Sequence, residues 1–142
     1  MSDAESKARS ETAALIRRYY DAFNAGDSAG MIACLTDDVI HDVNQGERRQ
    51  GLEKFRAFNA RMDHHYQEKL EQIVVLVSKD GQRAAAEFNV NGVYKATDSG
   101  LPEATGQTYI LPAGTFFAIR DGKIARVTTY YNLTDWLAQV TG

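Results

Sequence analysis

Cysteine, proline and histidine are all scarce in this chain of 142 residues, which has one Cys, two Pro and three His. The lone Cys34 excludes an intramolecular disulfide framework and fits a reducing compartment. Basic residues do not outnumber acidic ones: 16 Lys and Arg against 19 Asp and Glu give a net charge of -3. Nucleic acid is therefore not an expected partner, because phosphate binding needs a basic patch. Long hydrophobic runs are absent too. The most compact aliphatic stretch, residues 73–77, falls far short of the roughly 18 residues that a membrane span needs. The first residues, Met1-Ser2-Asp3-Ala4-Glu5, have neither a basic region nor an apolar core of the secretory kind, so a cytoplasmic location without membrane contact is expected. Metal binding is not expected either, since His64 and His65 are adjacent and cannot easily face one ion. No repeat or low-complexity segment is visible.

What is present reads as one domain over residues 1–142. From about Ser6, Thr12, Leu15, Ile16, Tyr19 and Phe23 fall on one helical face, and Gly26 suits a left-handed cap. Asp27 can cap a short second helix with Met31, Ile32 and Leu35 inward. A strand follows over residues 39–43. A third helix opens at Gly51, with Leu52, Phe55, Phe58 and Met62 on its inner side. After Tyr66 the period changes to two. Strands are expected over 67–77, 83–94, 107–120 and 123–131, with Asp80-Gly81 and Asp121-Gly122 as hairpin turns. Pro112 and Gly114 suggest a bulge or bend. The polar connection 95–106 has the length of a lid or binding loop. A final helix, with Thr134 as cap and Trp136, Leu137 and Val140 as anchors, closes the chain.

The layout is α+β: a cone-shaped, strongly curved antiparallel or mixed sheet wrapped over three N-terminal helices. Concave surfaces of that kind hold small-molecule pockets. Within it, Val39-Ile40-His41-Asp42-Val43-Asn44-Gln45-Gly46 stands out, because unpaired carboxylates are costly to bury. Asp42 is thus either a solvated strand end or a pocket residue with a task. His41 points to the other side of the strand and reads as a surface or interface residue. Glu87, Asn89 and Asn91 form a polar stripe, which supplies a second pocket carboxylate only if that face is concave.

Arg18-Tyr19-Tyr20-Asp21-Ala22-Phe23-Asn24-Ala25-Gly26-Asp27, Leu35-Thr36-Asp37-Asp38-Val39, the segment Phe116-Phe117-Ala118-Ile119-Arg120-Asp121-Gly122-Lys123-Ile124 and the terminal Tyr130-Tyr131-Asn132 occur in an order that resembles the nuclear-transport-factor-2-like superfamily. Within it, the chain is most similar to the SnoaL-like polyketide cyclase and ketosteroid isomerase branch, a cystatin-like α+β barrel. His41 to Gly46 with Gly106-Gln107-Thr108-Tyr109 and Thr128 to Asn132 further resembles steroid-delta-isomerase-related proteins. The resemblance implies a cofactor-independent isomerase or cyclase that moves a proton next to a carbonyl in an apolar substrate. It places Asp42 on the general base and Tyr19 on the donor to the enolate oxygen, and it finds Thr115, or Gly114, where the isomerases carry an oxyanion acid. Phe23, Phe55, Thr115, Phe117, Tyr109 and Tyr131 would line the pocket. A homodimer through the sheet face carrying Arg126, Thr128 and Tyr130 is also implied. A non-catalytic binding protein and an epoxide-hydrolase-like hydrolase are the alternatives.

Overall fold

The amphipathic N-terminal stretch forms α1 (Asp3–Asn24), started by a capping box in which Ser2 and Glu5 satisfy each other's backbone N–H groups. Its inward residues are Thr12, Leu15, Ile16, Tyr19 and Tyr20, and Gly26 leaves it at φ +69°. Asp27 caps α2 (Ser28–Ile32) by accepting from the Gly30 N–H. Then come β1 (Leu35–Val43), the two-residue β2 (Arg49–Gln50), α3 (Leu52–His65), β3 (Tyr66–Val77), β4 (Arg83–Tyr94), β5 (Thr108–Arg120), β6 (Lys123–Tyr131) and α4 (Leu133–Thr141). This computed structural model describes residues 2–44 and 46–141; Gln45, inside the motif singled out above, lies outside the described residues.

The α+β expectation holds. Six strands form one curved sheet in the order β2-β1-β6-β5-β4-β3. Strands β1 and β6 pair in parallel and every other neighbouring pair is antiparallel. The sheet is open rather than a closed barrel, because β2 and β3 are its two edges and do not pair. Among the described residues, no helix is long and apolar enough to cross a membrane.

Two local expectations are corrected. Register between β4 and β5 runs unbroken through Pro112 and Gly114, with Pro112 placed before β6 begins to pair at Ala113. Register shifts instead between Leu35 and Ile40 where β1 meets β6, between Ala118 and Ile119 where β5 meets β6, and between Glu71 and Val74 of β3, where Gln72 takes φ +55°. The start of α4 is satisfied by Asn132, whose Oδ1 accepts from the Asp135 N–H at 3.1 Å, and not by Thr134. Free strand edges are covered by side-chain amides. Asn24 exchanges two hydrogen bonds with the Leu70 backbone at 2.8 and 2.9 Å, and Gln139 does the same for Ile110 at 3.0 and 2.9 Å.

The long connection between β4 and β5 is pinned. Asp98 is buried, and its carboxylate accepts from Arg61 at 3.1 Å and from the Tyr66 hydroxyl at 2.9 Å. Tyr94 donates to the Pro102 carbonyl at 2.6 Å and accepts from the Asp98 N–H at 2.9 Å. Burial alone would raise the Asp98 carboxyl. The hydrogen bonds from Tyr66 and Arg61 outweigh it and hold the group below its ordinary range. Asp98→Asn is expected to cost about 2–3 kcal/mol in urea unfolding, a figure discounted because Arg61 is half exposed. The Asp98 contribution should be complete above about pH 4 and be lost as pH falls through its folded-state pKa. A stability curve that is identical for the two proteins between neutral and acid pH would contradict this.

Candidate active site in the cone

Helices cover one face of the sheet, and the space left between them and the concave face is a cavity of about 1220 Å³. Strand alternation decides which side chains reach it. From β5 and β6 these are Leu111, Ala113, Thr115, Val127, Thr129 and Tyr131, and the Thr115 and Thr129 hydroxyls meet at 3.1 Å. From α1 come Tyr19, Tyr20 and Phe23. Burial raises both tyrosine pKa values, so their phenols stay protonated and can donate. Tyr19 and Tyr20 pack edge-on against Phe117 with ring centroids 6.0 Å apart.

Of the expected wall residues, Tyr19, Phe23, Thr115 and Tyr131 line the cavity. Phe55 and Phe117 are sealed into the core at 1% and 0% exposure, and Tyr109 is buried behind the cavity wall. Asp42 is a correction. It shares neither the cavity nor a face with Tyr19, because β1 sends Val39, His41 and Val43 inward and Asp42 outward. Outside, Asp42 forms a two-pronged ion pair with Arg48, both contacts 2.9 Å, and accepts from Thr128 at 2.8 Å. The Arg48 hydrogen bonds hold its carboxyl below the ordinary range. His41 is the second correction, being 5% exposed and part of the cavity wall rather than a surface residue. It packs against Phe55 and Phe58 at 5.0 and 4.6 Å, and burial pushes its pKa down to about 4. Glu87 faces outward as well, since Phe88 and Val90 take the cavity side of β4.

Three carboxylates line the cavity: Asp98 is tied to Arg61, Asp63 is exposed, and the third is Glu68 of β3. Its side chain is partly buried and lines the cavity, and burial raises its pKa. Tyr109 opposes that shift by donating to Oε2 at 2.5 Å. No cation pairs with Glu68 among the described residues. The contact is built across three strands. Glu68 is the register partner of Gly92, and Gly92 is the register partner of Tyr109. The Tyr109 ring lies over Gly92 so closely that a Cβ there would stand 2.2 Å from Cζ. Only glycine lets the phenol cross β4 and reach Glu68. The available sequence signal was parity, because Glu68 alternates in phase with the buried Tyr66 and Leu70. Tyr131 feels the charges of both Glu68 and Asp98, which raise its pKa after burial has done so. No group of three or more His, Cys, Asp or Glu that could hold a metal occurs among the described residues.

Comparison with known proteins agrees with this architecture. A family model described as a SnoaL-like domain matches residues 16–127. A solved structure from Xanthomonas campestris pv. campestris, named as a candidate polyketide cyclase, is 52% identical with a TM-score of 0.91, covering 94% of this chain and 98% of that one. One from Silicibacter sp. TM1040 with the same description is 59% identical, TM-score 0.90, covering 92% and 96%. A third, from Pseudomonas putida, is 60% identical, TM-score 0.87, covering 89% and 95%. Among curated proteins none matches.

The Gly92 seat is testable on its own. Gly92→Ala should destabilise the fold by about 1–3 kcal/mol in denaturant unfolding, because it overpacks against an aromatic ring. In a Tyr109→Ala background the same change should cost far less, since the two positions are coupled. Equal costs in both backgrounds would remove the proposed seat.

Proposed function

The chain belongs to the SnoaL-like domain family of the nuclear-transport-factor-2-like superfamily, and from that premise we propose that it is an acid–base enzyme of the cyclase or isomerase type. Its substrate is a largely apolar small molecule carrying a carbonyl, held in the cone, and the chemistry needs no cofactor. The solved relatives named as candidate polyketide cyclases support the reaction class. One observation carries the reading: Glu68 is a cavity carboxylate that no cation pairs with among the described residues, and one of its oxygens is held by Tyr109. Such a group is a better base near neutral pH than Asp42 or Asp98, whose ion pairs lower their basicity.

In this reading Glu68 takes a proton from the carbon next to the carbonyl. The C–H electron pair becomes the enolate double bond, and the carbonyl π pair moves to oxygen. Tyr19 and Tyr131, both lining the cavity, are the phenols placed to donate to that oxygen. Return of the proton to another carbon completes an isomerisation. Attack of the enolate carbon on a second carbonyl in the same molecule completes a cyclisation, with the Glu68 proton going to the new alkoxide. Either way Glu68 is regenerated. A hydrolase using two carboxylates is less favoured, because Arg61, Tyr66 and the Ser99 N–H already occupy the Asp98 carboxylate.

The test is α-proton exchange into deuterium oxide from a simple bicyclic ketone such as 2-tetralone, followed by NMR. Glu68→Gln should slow exchange by about 10²–10⁴-fold, whereas Asp42→Asn should leave it close to wild type. The wild-type rate should climb with pH through a pKa above that of an ordinary glutamate, because the base acts ionised. Undiminished exchange in the Glu68 variant would sink this assignment.

We also propose a homodimer through the outer sheet face, where Phe116 and Tyr130 stay 48% and 53% exposed with their rings 6.0 Å apart. Light scattering should give twice the chain mass for wild type and the single-chain mass for Phe116→Asp. A wild-type monomer at high concentration would refute the dimer.

A further inference from the structure

Charged groups line both ends of the cavity. Towards the β3 edge they are mixed, the carboxylates of Glu68, Asp63 and Asp98 standing with the cations Arg61, Lys69 and Lys95. The opposite edge, β1 and β2, contributes Arg49 and His41. These two are direct register partners, so their side chains leave the sheet on the same face. Phe58 holds both: the Arg49 guanidinium lies 4.6 Å from its ring centre, and the His41 ring meets it edge-on at 4.6 Å. Arg49 has no acidic partner among the described residues, and its one hydrogen bond is a long 3.5 Å contact from Nη1 to the Glu47 carbonyl. Neighbouring Arg48 is spent on Asp42 outside the cone. His41 is buried in the cavity wall and its Nδ1 is sealed without a hydrogen-bond partner, so the neutral ring can carry its proton on Nε2 and donate from there.

An uncommitted guanidinium held over an aromatic ring beside a neutral imidazole is a donor set for a planar anion. We propose that Arg49 and His41 form a carboxylate-binding subsite, and that the substrate is an apolar keto acid with its acid group at the β1–β2 edge and its reacting carbonyl towards Glu68. This deepens the proposed function and rests on its reading of the cone as a substrate site. Arg49 would bind the carboxylate through two parallel N–H donors and His41 would add one from Nε2. The ion pair would fix which end of the molecule meets the base.

The experiment compares 2-naphthoate with 2-naphthamide, probes of the same shape that differ in charge, by titration calorimetry at neutral pH. Wild type should bind the acid on the order of tenfold more tightly than the amide. Arg49→Gln should abolish that preference while leaving amide affinity intact, which shows that the cavity itself is undamaged. Arg49→Lys should retain part of it, since the charge remains and the two-pronged geometry does not. Equal affinities in wild type, no binding of either probe, a preference that survives in Arg49→Gln, or loss of amide binding in that variant would each overturn the subsite. Glu68→Gln separates the two proposals. It should keep the acid preference even if α-proton exchange proves independent of Glu68, an outcome that removes the base and leaves the subsite standing.

Discussion

A sheet with one face enclosed by helices gives each of its side chains one of two destinations, and parity along the strand decides which. In this fold the rule has unusual leverage, because the same concave face supplies both the hydrophobic core and the cavity wall. A polar residue in phase with the core therefore has to be satisfied or put to use. Glu68 and His41 are in phase; Asp42 and Glu87 are out of phase. The irregularity at Gln72 shifts the phase of β3 only beyond Glu71, so the part of the strand bearing Glu68 keeps the register of the cone.

The carboxylates show how environment separates groups of one chemistry into different roles. Asp98 and Asp42 each have an arginine and a hydroxyl donor, which favour the charged form and tie chain segments together. Glu68 has an apolar surrounding that favours the neutral form, opposed only in part by the one phenol that donates to it. The missing side chain of Gly92 makes this possible, since any other residue would block the phenol's path across β4. The cavity thus has a basic group at one sheet edge and, at the other, a guanidinium without an acidic partner among the described residues.

Much of the fold was legible from local pattern. Residues 12, 15, 16 and 19 declared the buried face of α1, Gly26 and Gly51 marked helix boundaries, and the two Asp-Gly pairs placed the β3–β4 and β5–β6 hairpins where they occur. Those signals depend on neighbours a few residues apart, which a sequence displays directly. The wall residues Tyr19, Phe23, Thr115 and Tyr131 were legible for the same reason, each being in phase with an apolar face.

The sequence by itself also contained the parity that places His41 with Val39 and Val43 on one face of β1 and Asp42 on the other. What only the tertiary structure decided is pairing at a distance. That Tyr109 reaches Glu68 depends on β3, β4 and β5 lying side by side in one register, and that Arg49 stands beside His41 depends on β2 folding back onto β1. Neither follows from local spacing, because residues 41 and 24 positions apart, or separated by a turn, become neighbours only when strands align. Periodicity fixes the face a side chain occupies; register fixes what it meets there.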